Sequence, residues 1–186
     1  MNPKTSIIKI LSLMILASCI VGCGETVEYE VVAPATLKPG DAIPMPAGEI
    51  VLAISGDISN TNDDDTITLD IETLEAMGLV SYEVDDPWEQ ERVAYTGVLL
   101  SDLLQVAGAA DSATEIFAAA LDGYEIPIPI SETEAWPVLI ATQSNGSYMS
   151  IESSGPTRII FPFERHDDVT AARNMSVWNL ESLEIR

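Results

Sequence analysis

The 186-residue chain contains two cysteines, one histidine and eight basic residues against 30 acidic ones. Both cysteines, Cys19 and Cys23, lie near the N-terminus, and the one histidine is His166. That scarcity removes most zinc and thiolate sites, and most Cys- or His-based catalysis, before any motif is sought. A formal net charge of −22 repels phosphate backbones and excludes nucleic acid as a partner. It also disfavours small polyanions unless a local arginine cluster overrides the field. Walker loops, dinucleotide glycine fingerprints, Gly-x-Ser-x-Gly elbows and internal repeats are all missing from the sequence. Apolar residues are not scarce: at 47% they set the chain apart from disordered acidic ones. The length suits one domain.

The N-terminus reads as an address. Met1 to Lys9 carries two lysines, and Ile10 to Val21 is apolar apart from Ser12, Ser18 and Cys19. This is a charged region followed by an apolar one too short to read first as a spanning helix, which needs about 20 apolar residues. Leu16-Ala17-Ser18-Cys19 and Ile20-Val21-Gly22-Cys23 each place small residues before a cysteine, as a bacterial lipobox does. Cys23 is the favoured lipidation site, with Cys19 the alternative. No Asp follows either cysteine, so by resemblance to lipoproteins the expected location is the outer membrane, facing the periplasm. The expected organisation is a lipoprotein signal peptide over 1–23, a Pro/Gly-containing tether over 24–49 and a globular domain over 50–186. With Cys23 lipidated, the mature domain has no free thiol and no disulfide.

From Ile50 onward the pattern is that of many short strands interrupted by short helices. Strands are expected at Ile50–Ile54, Ser81–Val84, Val93–Tyr95, Glu115–Ala120, Glu125–Ile130, Val138–Thr142, Arg158–Phe161 and Val177–Ile185. Asp70 caps a helix over Ile71–Met77 that Gly78 stops, and Ser101-Asp102 opens a helix that Gly108 ends. Ser131 caps one helical turn. Val27 to Val31 alternates as an edge strand does. There is no regular βαβ alternation, so the fold class is α+β with mixed β-sheets and short helices. Asn62-Asp63-Asp64-Asp65 fails the spacing of a calcium loop and reads as a solvated acidic tip. His166-Asp167-Asp168 lacks a nucleophile elbow, which makes His166 an exposed loop residue.

Four segments in order are distinctive: Tyr95–Gly108; Ala120-Leu121-Asp122-Gly123-Tyr124 running to Pro129; Val138–Ala141 through Asn145-Gly146 to Gly155-Pro156-Thr157-Arg158 and Pro162; and Arg173-Asn174-Met175-Ser176-Val177-Trp178-Asn179-Leu180. Together they resemble the sulfite-oxidase-type molybdopterin-binding domain, in its small stand-alone secreted form, over about Ile50 to Ile185. The resemblance implies that fold. For enzymes of the family it also implies molybdenum held by a Cys thiolate, placed before the segment that begins here at Tyr95. Ser81 to Trp88 holds no Cys, and Val177 stands near where some relatives carry a basic residue. The metal anchor is lost and the phosphate anchor reduced, so no molybdenum is expected.

What remains suits an unphosphorylated pterin. Trp88, Tyr124 and Trp178 offer aromatic faces. Asp122 can accept from the amino edge of the ring, and Arg173 can donate to its carbonyl. By resemblance the chain is similar to periplasmic pterin-binding regulators of membrane cyclic-di-GMP enzymes. That implies a non-catalytic sensor whose partner is the periplasmic domain of such an enzyme. A molybdopterin-dependent oxidoreductase and an acidic structural lipoprotein without a ligand are the other readings left open.

Overall fold

A computed structural model describes residues 27–186. The expected signal peptide and both cysteines lie outside the described residues. In chain order the strands are β1 (Glu30–Ala33), β2 (Leu52–Gly56), β3 (Ile67–Leu69), β4 (Leu79–Asp86), β5 (Glu91–Leu99), β6 (Glu115–Ala120), β7 (Glu125–Pro129), β8 (Leu139–Ser144), β9 (Ser147–Tyr148), β10 (Arg158–Ile160) and β11 (Leu180–Ile185). The helices are α1 (Ile71–Glu75), α2 (Leu100–Ala107), α3 (Ile130–Ala135) and α4 (Val169–Met175).

One sheet runs β1-β4-β5-β8-β10, with β9 added to β8, and every pairing in it is antiparallel. The other runs β3-β2-β11-β6-β7, antiparallel except where β11 lies parallel to β2. A single apolar cluster takes side chains from both sheets, among them Leu52, Ile54, Val84, Ile140 and Leu183. Mixed sheets with few short helices are the α+β arrangement expected of the sulfite-oxidase-type fold.

Local chemistry explains the joints. Asp70 caps α1 by accepting from the Thr73 N–H at 2.8 Å. Its other oxygen takes the Ala47 and Gly48 N–H groups at 2.9 and 2.8 Å. Those bonds, the Thr73 ones foremost, lower its carboxyl from 3.8 to about 2. The folded carboxyl therefore titrates below the unfolded one, and its stabilisation is complete above about pH 4 and lost as the pH falls towards about 2. Thermal melts of the wild type are expected to drop more steeply over that window than those of Asp70→Asn, which keeps the cap. Parallel curves would contradict this assignment. Asn145 and Gly146, at φ 49° and 76°, form the tight turn from β8 to β9.

Several elements depart from the expectation. β5 continues through Gly97, where the backbone of Ile140 and Ala141 approaches too closely for a side chain. Gly97 is thus a crossing point and not a strand end. Ser131 lies inside α3, which Pro129 precedes without a side-chain cap. Residues 30–48 are not a free tether. β1 pairs with β4, the Thr36 and Leu37 N–H groups both donate to the Ala76 carbonyl at 2.8 Å, and Leu37 and Ile43 enter the core. Burying two such side chains stabilises the docked path by about 1.5–3 kcal/mol each, enough to oppose the entropy of a loose chain. His166 is buried, not exposed. Its ring packs against Trp136 and Phe161, and its Nε2 lies 2.8 Å from Glu132 Oε2.

Candidate functional site

Three distant stretches converge on one cleft of about 270 Å³ lined by Trp88, Ala120, Asp122, Tyr124, Arg173, Asn174, Ser176, Trp178 and Asn179. All five side chains singled out in the sequence are among them. Trp88 comes from the β4–β5 turn, Asp122 and Tyr124 from the β6–β7 turn, and Arg173 and Trp178 from α4 and the link to β11. Asp122 and Arg173 lie about fifty positions apart in the chain, and the Tyr124 hydroxyl joins their segments by donating to the Asn174 carbonyl at 2.9 Å.

The α4 helix is what the sequence reading missed. Asp168 caps it, accepting from the Ala171 N–H at 3.0 Å. Ala172 and Met175, three positions apart, face inward. An Asp before that spacing was the available signal. It was obscured because Asp167-Asp168 reads equally well as a solvated loop.

Asp122 Oδ1 accepts from the Tyr124 N–H at 2.9 Å, a turn-forming bond. Its Oδ2 has no protein partner among the described residues. Arg173 makes no ion pair among the described residues, and its guanidinium lies 5.5 Å from the Trp88 ring centre. Trp88 and Trp178 meet edge to face at 5.2 Å, and Phe163 supports Trp88 from another side at 5.5 Å. Trp178 and Tyr124 are 36% and 44% exposed, so their faces are open to a ligand.

Behind this aromatic pair sits a buried network that the sequence reading did not place at the site. The alternation that turns Tyr82 and Val84 inward on β4 also turns Asp86 inward. Asp86 Oδ2 accepts from Arg158 Nη2 at 3.0 Å and from the Tyr95 hydroxyl at 2.7 Å. Its Oδ1 accepts from the Trp88 and Glu89 N–H groups at 2.8 and 3.1 Å. Arg158 Nη1 donates to the Tyr95 oxygen at 2.8 Å. Burial pushes the Asp86 carboxyl up, but the bonds from Tyr95, Glu89 and Trp88 together with the Arg158 charge outweigh it and the net shift is downward. Burial raises the Tyr95 hydroxyl. Both groups therefore hold fixed protonation states at neutral pH: Asp86 ionised, Tyr95 protonated. The Arg158 guanidinium also lies 4.9 Å from the Trp178 ring centre and 5.3 Å from that of Trp88. The network thus anchors both tryptophans of the cleft wall.

Molybdenum held through a thiolate does not fit these residues. Residues 27–186 contain no cysteine, and no group of His, Cys, Asp or Glu among the described residues is arranged to hold a metal ion. Asp86, beneath Trp88, has both oxygens committed. Nor do the described residues form a phosphate cradle at this cleft, because Arg173 is the one cation among those that line it and the Arg158 charge is met by Asp86. Val177 is fully buried. What the cleft does present is aromatic surface from Trp88, Tyr124 and Trp178 beside the Asp122 carboxylate and the Arg173 guanidinium.

A family model described as oxidoreductase molybdopterin binding domain matches residues 60–164. That range includes Trp88, Asp122, Tyr124 and Arg158, whereas Arg173 and Trp178 lie beyond it. No curated protein gives a significant match. Among solved structures, the crystal structure of the sulfane dehydrogenase SoxCD from Paracoccus pantotrophus is similar with a TM-score of 0.56 at 20% identity, over 72% of this chain and 37% of that one. At that identity the likeness is one of fold, and this chain spans little more than a third of the other's length. The family match extends over more than half of the sequence and agrees with the fold, so the chain belongs to the oxidoreductase molybdopterin-binding domain family.

Proposed function

We propose that this domain binds an unphosphorylated pterin between Trp88, the Asp122–Tyr124 turn and the Arg173–Trp178 segment, and that it reports occupancy instead of catalysing a redox step. The reading rests on one observation above others. Aromatic faces, an unpartnered carboxylate oxygen and an unpaired guanidinium from three remote segments meet in one cleft, and among the described residues there is no thiolate and no cluster of metal-ligating side chains. Trp178 and Tyr124 supply area for the rings. Asp122 Oδ2 accepts from the amino edge, and Arg173 donates to the carbonyl. At about 270 Å³ the cleft lies at the small end of ligand sites, suited to a bicyclic head without a long tail. The strongly negative field opposes a phosphorylated ligand.

A reduced pterin titrated into the protein is expected to quench tryptophan fluorescence saturably, because Trp88 and Trp178 line the cleft. An unchanged signal would count against the site. The family membership supports a second reading, a molybdopterin-dependent oxidoreductase, and metal analysis separates the two.

Lipidation at Cys23, or at Cys19, would hold the domain at the outer membrane facing the periplasm. In line with the sequence resemblance, its partner there would be the periplasmic domain of a membrane cyclic-di-GMP enzyme. Radiolabelled palmitate is expected to label the protein and to be lost when both cysteines are changed to Ser. Label that persists in the double variant would remove the anchor from this account.

A further inference from the structure

The exposed side of α1 borders two depressions of about 490 and 510 Å³ that share Ile71, Glu72 and Pro156, and so form one groove. One end adds Glu75, Tyr148 and Met149, and the other adds Glu49, Val51 and Asp70. None of these residues lines the cleft between Trp88 and Trp178. The lining is apolar at Val51, Ile71, Met149 and Pro156, and Tyr148 adds a ring that is 62% exposed. The Tyr148 hydroxyl donates to Glu75 Oε2 at 3.0 Å, which orients that ring in advance. The carboxylates have no cation beside them: no lysine, arginine or histidine lines the groove. Glu49 and Glu72 are exposed. Glu75 accepts from Thr142, Gln143 and Tyr148, all uncharged. Asp70 is taken up by the N–H groups it caps.

We propose that this groove docks a short basic and apolar segment of a partner protein, with aliphatic side chains against Ile71, Pro156 and Tyr148 and lysine or arginine beside Glu49, Glu72 and Glu75. Charge complementarity chooses the occupant. An apolar floor rewards burial of aliphatic surface, and a rim of one sign attracts the opposite one and repels its own. A second copy of this chain would bring a net charge of −22 and the same acidic rim, so self-association is opposed. An anionic bilayer is opposed for the same reason. A segment that alternates cationic and aliphatic side chains satisfies rim and floor together, and the exposed, oriented ring of Tyr148 suits an interface anchor.

The probe is a short fluorescein-labelled peptide of repeated Lys-Leu-Lys-Ala, followed by anisotropy at near-physiological salt. Saturable binding in the micromolar range is expected, together with a shift of the Met149 methyl signal in nuclear magnetic resonance. Replacing every leucine of the peptide by serine should weaken it at least about tenfold, and replacing every lysine by glutamate should abolish binding. Glu49→Gln together with Glu72→Gln should weaken the lysine–leucine peptide about tenfold. Glu125→Gln together with Glu181→Gln removes the same charge from exposed positions outside the groove and should change it less than about twofold, since distant exposed charges are screened. All four substitutions are on exposed side chains, so each variant is expected to keep the wild-type melting temperature. Equal losses in the two glutamine pairs would mean that the peptide follows net charge alone, and would overturn the proposal. So would equal binding of the serine peptide, no saturable binding, or saturation with the Met149 signal unmoved. The groove and the Trp88–Trp178 cleft have no lining residue in common, so this outcome does not depend on whether a pterin binds.

Discussion

Asp122→Asn is expected to weaken pterin binding about ten- to a hundredfold while leaving the melting temperature unchanged. Asp122 sits in an exposed turn where Oδ1 accepts from the Tyr124 N–H. Asn makes the same bond and suits the same turn, so the fold has little to lose. The atom that changes is Oδ2, which becomes an NH₂ facing the amino edge of the ligand. A hydrogen bond to a charged acceptor contributes about 1.5–3 kcal/mol, and each 1.4 kcal/mol is about tenfold in affinity. Fluorescence titration of wild type and variant, beside their thermal melts, separates the two roles. If Asp122→Asn binds as tightly as wild type, Asp122 is a turn residue only.

Asp86→Ala should be the most damaging single substitution around the site. It leaves Arg158 as an uncompensated charge at 2% exposure and strands the Tyr95 hydroxyl and the Trp88 and Glu89 N–H groups. Breaking a buried pair from one side costs about 3–5 kcal/mol. For a chain of this size that lowers the melting temperature by roughly 10 °C. Combining Asp86→Ala with Arg158→Met should recover much of the loss, since removing both charges is often close to neutral. The pH dependence has a definite sign. The Asp86 carboxyl is depressed in the folded state, so its contribution is present above the unfolded value near 3.8 and fades as the pH falls below it. A double variant as unstable as the single one would show that the pair is not the source of the effect.

How much of this was readable beforehand divides along physical lines. Signals carried by neighbours in the chain were legible: Asp70 as a cap, Gly78 and Gly108 as helix ends, Asn145-Gly146 as a turn. The five cleft residues were named through family resemblance together with the chemistry of a pterin, and the fold places them around one cleft. The Asp86–Arg158 pair was not legible, because its partners are 72 positions apart and nothing local distinguishes an inward acid from a solvated one. The strand expected over Ser81–Val84 stops short of the pair, whereas β4 runs from Leu79 to Asp86. The proline-rich stretch before Ile50 misled for a related reason. Proline and glycine report backbone preference, whereas the docking of residues 30–48 depends on Leu37, Ile43 and the remote acceptors Ala76 and Asp70.

The most direct test of the central claim is mass spectrometry of small molecules released from the purified protein, with elemental analysis of the same sample. A pterin without phosphate, and molybdenum far below one atom per chain, is the expected result. Molybdenum in stoichiometric amount together with a phosphorylated pyranopterin would contradict the account and make the chain an oxidoreductase.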